Sequence, residues 1–96
     1  MPLILLTNDD GIHSPGLHGL KTILAPLGRI IIIAPDRDNS AISHALTMNR
    51  PLRLTTLDTD TYCLDGTPAD CVSIGLHKVV QQRPDLLVSG INTGPN

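Results

Sequence analysis

The sequence predicts an α/β fold built on a mostly parallel β-sheet. Its apolar runs are short and aliphatic, with one tyrosine and neither phenylalanine nor tryptophan in the chain. Such Ile/Leu/Val runs mark strands buried on both faces. The first two runs flank a segment with helical spacing, which makes a βαβ unit with parallel strands. At 96 residues the chain can hold at most one small domain, taken here as residues 1–96.

The elements follow in order. Residues 3–7 form a continuous apolar run and read as a buried strand. The loop Asn8-Asp9-Asp10-Gly11 follows. Ser14 and Pro15 suit the start of a helix. Leu17, Leu20, Ile23, Leu24 and Leu27 have helical spacing and predict one apolar face, with Gly28 as its stop. Residues 29–34 form the second strand, which Pro35 ends, and residues 36–43 form a polar loop. Leu52, Leu54 and Thr56 alternate with polar partners, as a half-exposed strand does. Residues 61–64 pair with it across a turn at 57–60. Thr67 and Pro68 start a second helix. It is expected to run to about Gln82, with Cys71, Ile74, Val79 and Leu76 facing inward. Residues 85–88 read as another buried strand, emptying into a loop at 89–96.

Composition excludes several classes. The net charge of -2 leaves no basic stripe to neutralise a nucleic-acid backbone. The near absence of aromatics removes a stacking platform for single strands. The longest apolar run, Ile30 to Ala34, is too short to span a bilayer. The N-terminus lacks the basic start and long apolar stretch of a signal peptide, so a cytoplasmic protein is expected. In a reducing cytosol Cys63 and Cys71 read as small apolar residues, not as a disulfide.

Three strands end in polar loops. The first supplies Asn8, Asp9 and Asp10, and the second supplies Asp36, Arg37, Asp38, Asn39 and Ser40. The last supplies Ser89, Asn92 and Asn96. In a parallel sheet these loops leave at one edge, where open α/β sheets bind ligands. Adjacent carboxylates repel, and need a cation, hydrogen-bond donors or a raised pKa. Mg²⁺ or Mn²⁺ meets that need with oxygen ligands, to which a serine and an asparagine can contribute. Alone, Asp9-Asp10 reads better as a solvated Asx turn capping the next helix. The two other loops at the same edge turn the balance towards a metal. Gly66-Thr67-Pro68 reads as a well-capped helix start in preference to an anion site. His13, His18, His44 and His77 read as surface or satisfied residues. Arg37 suits either a phosphate or an ion pair with Asp36 or Asp38.

Four strings carry a family resemblance: Leu-Leu-Thr-Asn-Asp-Asp-Gly at 5–11, Ala-Pro-Asp-Arg at 34–37, Gly-Thr-Pro-Ala-Asp-Cys at 66–71 and Val-Ser-Gly-Ile-Asn-Thr-Gly-Pro-Asn at 88–96. Together, in this order and spacing, they resemble the SurE family, the survival-protein-E nucleotidases. The resemblance implies a Rossmann-like three-layer α/β/α domain and a metal-dependent phosphatase. Its implied substrates are nucleoside 5′- and 3′-monophosphates, and short polyphosphate. The implied metal ligands are Asp9, Asp10, Ser40 and Asn92, around one Mg²⁺ or Mn²⁺. Asn8 and Asn96 match positions near the metal and phosphate. A homodimer or homotetramer is implied for the full-length protein. The stretch Asp38-Asn39-Ser40-Ala41-Ile42-Ser43 departs from the usual Asn-Arg-Ser-Gly-Ala-Ser but retains the serine. Family members run to about two and a half times this length. The chain is therefore expected to be the N-terminal part of a longer domain, with a metal site but an incomplete phosphate pocket.

Asp9 is the aspartate expected to orient or deprotonate the attacking water. Direct attack by an aspartate is the alternative, but haloacid-dehalogenase phosphatases separate their two aspartates by one residue. Two further readings stand beside this one. One is a magnesium-binding receiver-like signalling module, with Asp65 as its phospho-acceptor. The other is a folded but inactive remnant.

Overall fold

The computed structural model describes residues 2–36, 52–80 and 82–90. It has a five-stranded sheet in the order β3-β4-β2-β1-β5. The strands are β1 (Leu3–Thr7), β2 (Arg29–Pro35), β3 (Leu54–Asp58), β4 (Thr61–Leu64) and β5 (Leu86–Ser89). Helix α1 spans Pro15–Leu24 and α2 spans Pro68–Ile74. All pairings are parallel except β3 with β4. The two helices lie on opposite faces of the sheet. Leu17 of α1 joins the core with Ile4, Leu6, Ile30 and Ile32. Cys71 of α2 joins the other core with Leu3, Leu5, Ile31 and Ile33. The expected α/β/α layering is therefore present. Alternate residues of β1 and β2 feed the two cores, which is why both strands are apolar throughout.

The helices start where the sequence places them. Pro15 opens α1 after Ser14, which is extended at φ -63 and ψ 130. At α2, Thr67 and Asp70 form a reciprocal capping box. The Asp70 N–H donates to Thr67 Oγ1 at 3.1 Å, and the Thr67 N–H donates to Asp70 Oδ2 at 3.0 Å. That satisfies two of the N–H groups that every helix start leaves open.

Several expectations need correction. Leu17 is buried, with Leu20 and Leu24 packed beside it, but Ile23 is 68% and Leu27 59% exposed. Ile23 stands roughly a quarter-turn off the Leu17/Leu20/Leu24 stripe. Leu27 belongs to a short 3₁₀ turn at Ala25–Leu27, which breaks the helical spacing. The second helix does not reach Gln82. It passes into a π turn at Gly75–Val79, closed by the Val80 N–H on the Gly75 carbonyl at 2.8 Å. Gly75 permits the helix to lie close on the sheet. A Cβ there would sit 3.1 Å from Ile33 and 3.2 Å from Leu5. Leu76 points outward, not inward.

The hairpin is also shifted. Its first strand is 54–58, not 52–56, and every residue of it is exposed. Asp60 takes a left-handed conformation at φ 61, which narrows the turn to Thr59-Asp60. Finally, β5 is not a buried strand: Leu86 is 46% and Leu87 48% exposed. It pairs with β1 on one side only among the described residues.

Candidate metal centre

The carboxylate loop is built from the last residues of β1 outward. Asn8 is fully buried. Its Nδ2 donates to the Gly11 carbonyl at 2.9 Å, and the Gly11 N–H donates to Asn8 Oδ1 at 3.1 Å. The amide therefore closes the loop from beneath and holds Asp9 and Asp10, both half-buried, at its crest. Gly11 has φ 109, a left-handed value that a side chain would strain. The Ile12 N–H donates to the Pro35 carbonyl at 2.7 Å, tying this loop to the end of β2.

Neighbouring strands bring their loops to the same edge. Asp36 follows β2, and its N–H donates to the Leu64 carbonyl at 2.9 Å. Asp65 follows β4. Gly90 follows β5, and its N–H donates to the Thr7 carbonyl at 2.9 Å. The chain steps from β1 to β2 to β4, then returns to the far side of β1 as β5. The crevice between β1 and β5 is thus a topological switch point, where open α/β sheets bind ligands. Sequence reasoning placed the loops and a ligand crevice at one edge but not between β1 and β5, because no local pattern tells where β5 inserts. Asp9 and Asp10 follow β1 on one side of the crevice, and Gly90 follows β5 on the other. Ser40, Asn92 and Asn96 lie outside the described residues, as do Arg37 and His44.

The donor chemistry fits a hard divalent cation. Two carboxylates on one braced loop offer hard oxygen ligands. Among the described residues no group of three His, Cys, Asp or Glu gathers to hold an ion. Below the loop, Thr7 Oγ1 is buried and has no hydrogen-bond partner among the described residues. Such an orphaned hydroxyl is uncommon in a core.

Other candidates fall away. Cys63 packs against the α1-side core and Cys71 within the α2-side core, so the sheet separates them. Both are free thiols. Burial pushes the Cys71 thiol up to about 12, which keeps it protonated and unfit as a thiolate nucleophile. Burial also pushes the Cys63 thiol up. His18 Nε2 meets the Ile12 carbonyl and His77 Nδ1 the Ser73 carbonyl, each at 2.7 Å, as satisfied residues do. A cleft of about 350 Å³ opens at the opposite edge, where Leu3, Arg29 and Tyr62 help line it. It lies at the wrong ends of the strands for this chemistry. Asp65 follows β4, which β2 separates from β1. A receiver sheet places its acceptor strand directly beside β1, so this topology does not match one.

The family model for survival protein SurE matches residues 4–96. The chain belongs to the SurE family. The 5′-nucleotidase SurE of Syntrophotalea carbinolica is 52% identical over 94 residues, covering 98% of this chain and 38% of that protein. The 5′-nucleotidase SurE of Pelobacter propionicus is 53% identical over 93 residues, covering 97% and 38%. The crystal structure of the SurE protein from Aquifex aeolicus superposes with a TM-score of 0.89 at 49% identity. That match covers 99% of this chain and 39% of the other. The chain thus spans about two-fifths of the SurE relatives it matches. No helix among the described residues is long and apolar enough to cross a membrane.

Proposed function

We propose that this chain carries the divalent-metal centre of a phosphatase acting on nucleoside monophosphates. One observation carries the proposal: the Asp9-Asp10 pair sits on a braced loop at the β1/β5 switch point of a SurE-family chain. The relatives' name, 5′-nucleotidase, supports the substrate class. The 3′-monophosphates and short polyphosphate extend that class.

Asp9 and Asp10 supply the negative ligands, with Ser40 and Asn92 as neutral ones. A bound Mg²⁺ or Mn²⁺ supplies Lewis acidity, polarising the phosphoryl group and lowering the pKa of water. Asp9 accepts the proton of the attacking water or aligns it against phosphorus. Asn8 keeps Asp9 in place through its two bonds to Gly11. Asn96 is the further residue assigned to the phosphate. The proposed setting is the cytoplasm, where both free thiols stay reduced. Assembly as a homodimer or homotetramer belongs to the full-length protein.

The test is titration calorimetry of Mn²⁺ into the chain, followed by phosphate release from AMP with and without EDTA. Mn²⁺ binds the unaltered chain and not Asp9→Ala. Phosphate release in the full-length protein stops in EDTA. Undiminished release in EDTA would refute the metal role.

A further inference from the structure

We infer that His18 is a positioning residue for the metal centre. From helix α1 its imidazole Nε2 holds the Ile12 carbonyl, and so fixes the exit of the loop that carries Asp9 and Asp10. The inference rests on the metal reading of that loop.

His18 and His77 both stand exposed on helical segments, and each meets a carbonyl at 2.7 Å. Their partners differ. His77 Nδ1 meets Ser73, one turn back in its own helical segment. His18 Nε2 reaches six residues back, out of α1 and into the end of the carboxylate loop. The Ile12 carbonyl has no proton to give, so Nε2 is the donor and carries the ring hydrogen.

Ile12 is the far anchor of that loop. Its side chain is buried in the core with Leu6 and Leu17. Its N–H donates to the Pro35 carbonyl at 2.7 Å, at the end of β2. The His18 bond engages its remaining backbone group, the carbonyl. Ile12 is thereby tied to β2 on one side and to α1 on the other. Between it and the end of β1 lie Asn8, Asp9, Asp10 and Gly11. Asn8 braces this span from within, through Gly11. His18 braces it from a separate element. Ser14 makes no side-chain cap bond to α1. The backbone bonds at the junction are longer: the Ser14 N–H donates to the Gly11 carbonyl at 3.1 Å, and the His18 N–H to the Ser14 carbonyl at 3.4 Å. Metal affinity depends on groups beyond the ligands that hold those ligands in place. A single hydrogen bond from an exposed side chain adds only modestly to global stability. Loop geometry is therefore where the loss of this bond should register.

Mn²⁺ titration calorimetry together with urea unfolding tests this. Gln and Leu have similar helix propensity, but only Gln offers an N–H donor near the place of Nε2. His18→Leu is expected to bind Mn²⁺ about tenfold more weakly, at the lower end of what supporting groups contribute. His18→Gln should recover most of that loss. Asp85→Ala, which loses a hydrogen bond at the opposite edge, should keep wild-type affinity. Wild-type affinity in His18→Leu overturns the inference, as does equal weakening in His18→Leu and His18→Gln. A comparable loss in Asp85→Ala overturns it too, because affinity would then only follow stability. Should His18→Leu not fold, His18→Ala takes its place with the same outcomes. A wild-type chain that does not bind Mn²⁺ refutes the metal reading itself, a result distinct from equal binding by wild type and variant.

Discussion

The two edges of this sheet use their aspartates differently. At the edge where β1 and β2 begin, two acids tie separate elements of the fold together. Asp85 Oδ2 accepts from the Leu3 N–H at 2.7 Å, and the Asp85 N–H returns a bond to the Leu3 carbonyl at 2.8 Å. Asp60 takes a bidentate grip from Arg29, at 2.9 Å from Nε and 2.7 Å from Nη2. At the edge where those strands end, Asp9, Asp10, Asp36 and Asp65 are carried side by side by three neighbouring strands. The first edge matches charge to hold strands together. The second gathers four carboxyl-bearing residues, a donor set that suits a hard cation. The difference separates the part of the molecule that maintains the fold from the part that reads as a site.

Changes at the two edges should therefore separate binding from stability. The largest expected effect is at the acidic edge. Asp9→Ala should lower Mn²⁺ affinity by at least about a hundredfold, since a charged ligand is lost outright. Its urea midpoint should change far less than its Mn²⁺ affinity. A fall in stability with binding intact would reverse the assignment. Asn8→Ala is expected to affect both properties. It removes two buried hydrogen bonds, so unfolding free energy should drop by about 2 kcal/mol, and Mn²⁺ binding should weaken with the loop. At the opposite edge, Asp85→Ala should cost about 1 kcal/mol for the bond to Leu3 and leave Mn²⁺ affinity alone. Calorimetry showing weaker binding there would erase the contrast between the edges.

The smallest effect concerns pH. The hydrogen bond from Arg29, with its charge, holds the Asp60 carboxyl below the usual carboxylate range. A depressed folded-state pKa contributes stability that is full above the unfolded value, about 3.9 for aspartate. That contribution disappears as pH falls through the lower folded value. Asp60→Asn should therefore flatten the fall of the urea midpoint below about pH 4. The pair is partly solvated, so added salt should shrink the difference. An unchanged acid profile in Asp60→Asn would show that the pair contributes nothing measurable.

Much of the fold could be read in advance because its signals are local. The apolar runs at 3–7 and 29–34, the Ser14-Pro15 start and the Thr67-Pro68 start each act within a few residues. Misreadings arose where a neighbour decided the outcome. Residues 85–88 have the composition of an interior strand, yet β5 leaves a leucine half-exposed on each face. The second helix changed register at Gly75, where close contact with Leu5 and Ile33 sets the geometry. The orphaned Thr7 hydroxyl left no trace in the sequence beyond a threonine ending an apolar run, which a strand end tolerates.

By itself, then, the sequence determined the strands, their polar loops and the acidic pair at Asp9 and Asp10, because hydrophobic period and turn chemistry act locally. Tertiary structure alone decided that β5 returns to the far side of β1 and that the acidic loop lies at the β1/β5 switch point. Those outcomes depend on strand pairings between residues far apart in the chain, such as Thr7 with Ser89. Pairing of that kind follows from how the faces of the whole sheet are buried, which no short stretch of residues encodes.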